Sequence, residues 1–228
     1  MSQTKNIPTC IGIIPDGNRR WAKERGLPAF EGHRQGINAL ERAALSARDF
    51  GIKHTVVYAF STENWGRPAE EVSYLMDLFE EMAKKFLERL GKENVGVRFV
   101  GQLGRLSEKL QNAMQDAEEK SPKNPDLTLW ICLSYGGRAD IVQAANSLAK
   151  ESKPITEDSL AGRLWAASMP NPDLIIRTSG EQRISNFMLW QGAYSELFFP
   201  KVYWPEFTKD NLELILKEYA ERERRIGR

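Results

Sequence analysis

Residues 11–20 read Ile11-Gly12-Ile13-Ile14-Pro15-Asp16-Gly17-Asn18-Arg19-Arg20. A short apolar run breaks there into a turn that carries a carboxylate, a glycine and two arginines. An apolar run bounded by turn chemistry suits a strand buried on both faces. The same alternation recurs outward from this point. Residues 55–60, 95–100, 127–133 and 174–177 are further strand-like runs, and 196–199 is a candidate sixth. Between them, apolar residues recur at steps of three and four over 33–50 (stopped by Gly51), 71–90, 106–119, 139–150, 158–167 and 209–222. The 71–90 segment is the clearest helix. Strands alternating with helices predict βα units. The expected architecture is a single α/β domain over residues 1–228, with a mostly parallel central sheet of about six strands flanked by helices.

In such sheets a ligand sits beyond the carboxyl ends of the strands. Four of the expected strand ends carry small, polar and basic residues: 16–21 (DGNRRW), 61–68 (STENWGRP), 134–138 (SYGGR) and 178–185 (TSGEQRIS). A scaffold alone does not require that concentration on one rim. Diphosphate handling would. Gly17 lets backbone approach a ligand closely, and free N–H groups at a helix start attract phosphate. Arg20, Arg67, Arg177 and Arg183 can supply forked, charge-assisted hydrogen bonds. Asp16 offers a hard oxygen ligand, and magnesium is commonly held by one or two carboxylates plus substrate phosphates. Taken alone, Asp-Gly after a strand is most often just a turn; the joint placement carries the ligand reading.

Composition narrows the alternatives. With 32 basic and 31 acidic side chains the net charge is +1, without the basic excess of a sequence-independent nucleic-acid binder. Cys10 and Cys132 both fall in apolar runs and read as buried free thiols of a reducing compartment. The N-terminus lacks a signal-peptide apolar stretch, and no apolar segment approaches the roughly 20 residues of a membrane span. A cytoplasmic protein is expected, with a peripheral membrane contact left open. No Gly-x-Ser-x-Gly elbow, Walker loop or Gly-x-Gly-x-x-Gly occurs, which argues against hydrolase, ATPase and standard dinucleotide chemistry.

The chain resembles the cis-prenyltransferases, the isoprenyl or undecaprenyl diphosphate synthase family. The matching stretches are IIPDGNRRWA, GHRQG, YAFSTENWGRPAEEV, LSYGGRADIV, DLIIRTSGEQRISNFMLWQGAYSELFF, WPEF and, at the C-terminus, RERRIG. The resemblance implies condensation of isopentenyl diphosphate with an allylic diphosphate, farnesyl or geranyl, to a Z-configured polyprenyl diphosphate. It places the allylic diphosphate on Gly17, Asn18, Arg19, Arg20 and Trp21, with His33 and Arg67 helping. Isopentenyl diphosphate falls to Arg177, Arg183, Ser185 and Arg225. Asp16 matches the essential aspartate that places Mg2+, and Glu196 a carboxylate that reaches the metal region of a partner subunit. Ser61 and Asn64 match residues near the proton transfer, Phe60 and Trp65 residues of the substrate site, and Glu71 a residue of a mobile closing segment. A homodimer is implied, with 186–199 at its interface and Arg225 completing the isopentenyl site across it.

The chain departs from the family pattern at Pro15, usually Met; at Arg19, Gly in many bacterial members; at Ala29, often Arg; and at Gln182, frequently His. Arg19, Arg25 or Arg34 could compensate for Ala29. The 71–90 helix and the strand positions Tyr58, Phe60, Leu129 and Ile131 are candidates to line a product tunnel, although plain core packing also suits them. Tyr74 and Trp130 would shorten that tunnel or point away from it. A medium-chain product of about the undecaprenyl class is expected. Irregular coupling of two dimethylallyl diphosphates is the alternative on the same fold. A non-catalytic partner subunit is the other, and the presence of Asp16 argues against it.

Overall fold

In the computed structural model, which describes residues 6–223 apart from the side chains of 85–87, one six-stranded sheet organises the chain. The strands are β1 (Cys10–Ile14), β2 (His54–Ser61), β3 (Val95–Val100), β4 (Leu127–Tyr135), β5 (Leu174–Arg177) and β6 (Glu196–Phe198). Their spatial order is β3-β4-β2-β1-β5-β6, and every neighbouring pair is parallel. All five residues of β1 are buried. That is what a central parallel strand covered on both faces requires, and why its sequence runs apolar without alternation.

The helices are α1 (Asn18–Glu24), α2 (Ala29–Asp49), α3 (Ala69–Glu81), α4 (Leu87–Lys92), α5 (Glu108–Glu119), α6 (Gly137–Lys150), α7 (Glu157–Ala161) and α8 (Lys209–Glu221). Local chemistry sets several of their ends. Ser107 caps α5 by accepting from Leu110 N, and Thr208 with Asn211 forms a capping box on α8. One core face packs Ile11, Ile13, Val57, Phe60, Leu129 and Ile131 against α2, α3, α5 and α8. The other face packs Cys10, Tyr58, Trp130 and Cys132 against Ala166, Met169, Phe187 and Met188.

Two expectations about elements need correction, and one helix had no expected range. The 71–90 helix is interrupted, because Met82–Phe86 forms a π-helical turn between α3 and α4. The 158–167 helix stops at Ala161; the Trp165 N–H is taken at 2.7 Å by the Asp140 carboxylate instead of continuing the helical ladder. Helix α1 bears out the helix start read after Gly17 but had no expected range, since its seven residues bury only Ala22 and show no apolar period.

The site's position follows from the connections. Chain order steps from β1 to β2 on one side, then returns to β5 on the other side of β1. The crevice between β1 and β5 is therefore the switch point, where ligands bind in doubly wound sheets. Ile14 and Arg177 are in register there, so the turn after β1 meets the end of β5.

Candidate active site

The turn after β1 is fixed by its own backbone and by the loop after β5. Asp16 N–H donates to Thr178 Oγ1 at 2.8 Å, Thr178 Oγ1 donates back to Asp16 O at 2.7 Å, and Trp204 N–H also reaches Asp16 O at 3.0 Å. Gly17 then turns the chain with φ +101°, and α1 begins. A side chain at Gly17 would place Cβ 2.5 Å from Tyr203 Cδ1, so glycine is required by both conformation and space.

On this frame three arginines converge. Arg177 is 5% exposed and donates from Nε and Nη2 to Asp16 Oδ2 at 3.2 and 2.7 Å. Its Nη1 donates to Arg183 O and Ser185 Oγ at 2.8 and 2.7 Å. Arg20 donates to Asp16 Oδ1 at 3.1 Å, to Ser179 Oγ at 2.6 Å and to Glu181 Oε1 at 2.9 Å. Arg183 donates to the other oxygen of Glu181 at 2.5 Å. Burial disfavours the charged form of Asp16, but the hydrogen bonds and charges of Arg177 and Arg20 outweigh it and hold the carboxyl below its ordinary range. Hydrogen bonding to Arg183 lowers Glu181 in the same direction.

A second hub stands on the opposite wall. Glu71, in the first turn of α3 and 8% exposed, accepts from Arg67 Nη1 at 3.1 Å, meets His33 Nε2 at 3.3 Å and lies 3.9 Å from Arg19. Burial pushes the His33 pKa down, the Arg67 charge adds to that, and Glu71 opposes it. The wall between is a 3-10 turn, Thr62–Gly66, projected from β2 by register shifts around Phe60 and Ser61. Bulges of this kind re-aim side chains at strand ends. The turn carries Ser61 and Asn64 into the cleft, and Asn64 Oδ1 accepts from Ser61 N at 3.1 Å.

The cleft has two lobes. One, of about 800 Å³, is lined by Asp16 to Arg20, Lys23, Ala29, His33 and Arg67. The other, of about 830 Å³, is lined by Ser61, Asn64, Arg177, Glu181, Arg183 and Ser185, among others. Asp16, Asn18, Arg20, His33 and Arg67 border both. Beneath them a 60 Å³ apolar cavity opens between α2, α3 and β2, lined by Ile37, Leu40, Val57, Leu75, Leu78 and Phe79 among others.

Most expected site residues therefore share one cleft: Asp16, Gly17, Asn18, Arg19, Arg20, His33, Ser61, Asn64, Arg67, Arg177, Arg183 and Ser185, with Glu71 bracing three of them. Four do not. Trp21 lines neither lobe and stacks beneath the Arg25 guanidinium. Phe60 is 1% exposed and packs edge-on against Trp65 and Phe79, because the bulge turns it into the core. Trp65 faces Phe60, Ser134 and Arg105. Glu196 opens β6 in register with Leu174, at the amino end of the sheet; it pairs with Arg222 at 2.8 Å and lies away from Asp16 of its own chain. Arg225 lies outside the described residues.

Of the tunnel candidates, Leu129 and Ile131 are fully buried core, and Tyr58 borders the cleft. Trp130 lies on the far sheet face, donating to His54 Nδ1 at 3.2 Å, and Tyr74 packs on Phe30 at the surface. Ala29 does border the first lobe. Arg25 is engaged by Glu206, Arg34 approaches Glu81, and neither lines that lobe; its lining cations are Arg19, Arg20, Lys23 and Arg67. Glu181 and Lys23 were not singled out from sequence. Glu181 sits inside a matching stretch, two residues from Arg183, and that opposite-charge spacing was its only signal.

Among the described residues no group of three His, Cys, Asp or Glu side chains comes together to hold a metal. Asp16 Oδ1 and Oδ2 are engaged by Arg20 and Arg177, so a magnesium ion held here would share the carboxylate with them and take most of its shell from phosphate oxygens and water. Among the described residues no helix is long and apolar enough to cross a membrane.

A parallel sheet whose switch-point crevice gathers a carboxylate and converging arginines defines an α/β enzyme for an anionic substrate. Comparison with known proteins gives the particular family. Residues 14–227 match the prenyltransferase family model described as undecaprenyl diphosphate synthase. An isoprenyl transferase of Thermotoga maritima is 45% identical over 97% of each chain, and one of Neisseria gonorrhoeae is 46% identical over 97% of this chain and 90% of its own. Among solved structures, lavandulyl diphosphate synthase from Lavandula x intermedia, in complex with dimethylallyl diphosphate, superposes with a TM-score of 0.93 at 34% identity, covering 97% of this chain and 99% of that one. A probable undecaprenyl diphosphate synthase from Campylobacter jejuni gives 0.83 at 30%, covering 98% and 100%. The chain belongs to the undecaprenyl diphosphate synthase family and is a cis-prenyltransferase.

Proposed function

We propose that this enzyme condenses isopentenyl diphosphate with an allylic diphosphate, farnesyl or geranyl, to a Z-configured polyprenyl diphosphate. The observation that carries the reading is the two-lobed cleft, with Arg20 and Asp16 on the border between the lobes. Each lobe takes one diphosphate. Gly17, Asn18, Arg19, Arg20, Lys23, His33 and Arg67 hold the allylic one. Arg177, Arg183 and Ser185 hold isopentenyl diphosphate.

No covalent nucleophile is needed. As the allylic C–O bond breaks, the arginines neutralise the leaving diphosphate; the isopentenyl double bond attacks the exposed carbon, and a proton leaves on the side of Ser61 and Asn64. Placing charge where it develops and aligning two carbons is the enzyme's contribution. Magnesium, held by Asp16 and diphosphate oxygens, would supply further positive charge to the leaving group. Glu196 and Arg225 would act across a homodimer, each toward the partner's site. That assignment is consistent with the distance of Glu196 from its own Asp16.

A medium-chain product remains the reading for length. The apolar cavity beneath the cleft is the entry for the growing chain, and at 60 Å³ it has to widen between α2 and α3 as the chain extends. Irregular coupling is kept as a second reading because of the high superposition on lavandulyl diphosphate synthase. Arg177, Arg183 and Ser185 together favour a regular isopentenyl site. The test is incubation with magnesium, farnesyl diphosphate and labelled isopentenyl diphosphate, followed by sizing of the lipid, with a parallel arm containing dimethylallyl diphosphate alone. Labelled polyprenyl product supports the proposal. Product only in the second arm would reverse it, and a stop after one or two condensations would refute the medium-chain claim.

A further inference from the structure

Trp65 faces away from the cleft although its neighbour Asn64 faces into it, and the contacts that hold it there form a closed ring. Its Nε1 donates to Ser134 Oγ at 2.9 Å. Its ring meets the edge of Phe60 at 5.1 Å on one side, and the Arg105 guanidinium lies 4.9 Å from the ring centroid. Arg105 Nη1 also donates to Gln102 Oε1 at 3.3 Å, and Gln102 N–H donates to Ser134 O at 3.1 Å. The ring thus runs Arg105, Gln102, Ser134, Trp65 and back. It can close because the chain after β3 lies directly on the end of β4. Gly101, at φ +135°, allows that approach; a Cβ there would stand 2.0 Å from Leu133 O.

The same segment that this ring braces, Thr62–Gly66, presents Asn64 to the cleft and leads into Arg67. Three to five residues of 3-10 turn have few internal bonds and hold one geometry only when packed from outside. Phe60 braces the turn from the core. Arg105 braces it from the surface; among the described residues it lines neither lobe of the cleft, and its partners are the Trp65 ring and Gln102.

We propose that Arg105 is a positioning residue for the transfer reaction, acting through Trp65 to fix the turn that carries Ser61 and Asn64. The proposal rests on the reading of the cleft as the condensation site. Its effect is on the placement of Asn64 and Ser61, so turnover should fall while diphosphate binding persists. A cation over a half-buried ring contributes enough to predict a drop of about two- to fivefold in kcat for Arg105→Met. The KM for either substrate should stay within about twofold. Arg105→Lys keeps a cation over the ring and should recover part of the loss.

The experiment combines steady-state kinetics with amide hydrogen exchange on the full-length enzyme. In Arg105→Met, exchange over residues 62–67 should quicken while β2 and β4 keep their protection. In a Trp65→Leu background, which removes the ring, adding Arg105→Met should cost nothing further. Unchanged exchange over 62–67 would overturn the proposal, and so would an Arg105→Met cost that is the same with and without the Trp65 ring. The exchange arm needs no turnover. It therefore decides the brace even where the assay shows that the wild-type enzyme does not join these substrates, an outcome that would instead remove the functional reading.

Discussion

Arg177 directs two nitrogens, Nε and Nη2, at a single oxygen of Asp16, Oδ2, at 3.2 and 2.7 Å. The last residue of β5 thereby fixes the first polar side chain after β1 across the switch point of the sheet. The pair leaves Asp16 Oδ1 to Arg20 and to the Gly17 N–H, so every oxygen of the carboxylate is oriented before a ligand arrives.

Replacing Asp16 by alanine should cost both catalysis and stability. Arg177 Nη1 keeps Arg183 O and Ser185 Oγ, while Nε and Nη2 lose their acceptor and the guanidinium loses its carboxylate. The expected destabilisation is about 1–3 kcal/mol. Turnover should fall by at least about a hundredfold, the scale of losing one preorganised electrostatic group. Thermal melts read alongside condensation rates check both halves. An Asp16→Ala enzyme with unchanged turnover would overturn the catalytic assignment. Chelation of magnesium by EDTA should stop the wild-type reaction, and added magnesium should restore it.

Glu181 joins the two lobes, taking Arg20 from one side and Arg183 from the other. Glu181→Gln keeps the shape and loses the charge that aims both guanidinium groups. We expect the KM for isopentenyl diphosphate to rise about tenfold, with a smaller change in kcat, since charge-assisted contacts to the ground-state diphosphate are what is disturbed. A KM that stays put or falls would show that Glu181 competes with the substrate for the arginines.

Gly17→Ala sets a residue with a Cβ at φ +101° and 2.5 Å from Tyr203 Cδ1. The expected loss is about 1–3 kcal/mol of stability, together with allylic substrate binding. Trimming the neighbour in Gly17→Ala/Tyr203→Ala removes the clash with Cδ1 and leaves the backbone strain, with tight contacts to the Cβ atoms of residues 179 and 203 at 3.1 and 3.2 Å. The double variant should remain impaired; full recovery would show that space alone, and not the left-handed turn, demands glycine here.

The sheet was legible because β1, β2, β4 and β5 are buried on both faces and read as uninterrupted apolar runs between turn residues. The cleft was legible for the same reason, since its side chains follow directly from those strand ends. What stayed hidden depends on direction. A bulge at the end of β2 turns Phe60 and Trp65 into packing, and no sequence period announces a bulge. The π-helical turn at Met82–Phe86 keeps helical spacing on either side of itself and so passed for one helix. Glu196 belongs to a β6 that begins at the amino rim. Only the strand register with Leu174 reveals that its carboxylate is remote from Asp16 within one chain. Glu181 is defined by two partners, one of them 161 residues away in sequence.

His33 gives the pH dependence a sign. Burial, aided by the Arg67 charge and opposed by Glu71, places its folded pKa below the ordinary value of 6.5. The folded chain consequently binds fewer protons at this site than the unfolded chain does. The contribution to stability is fully present above pH 6.5 and is lost as pH falls through the lower folded value. A neutral His33 at pH 7 donates from Nε2 to Glu71, which leaves the Arg67 and Arg19 charges as the cations of that wall. Unfolding by urea, followed from pH 8 down to pH 5, should show stability decreasing below about pH 6.5. His33→Gln, which offers an amide donor and does not titrate, should flatten that decrease while leaving the midpoint at pH 8 nearly unchanged. An equal slope in both proteins would assign the acid sensitivity elsewhere, with His54, whose pKa burial also lowers, the next group to substitute.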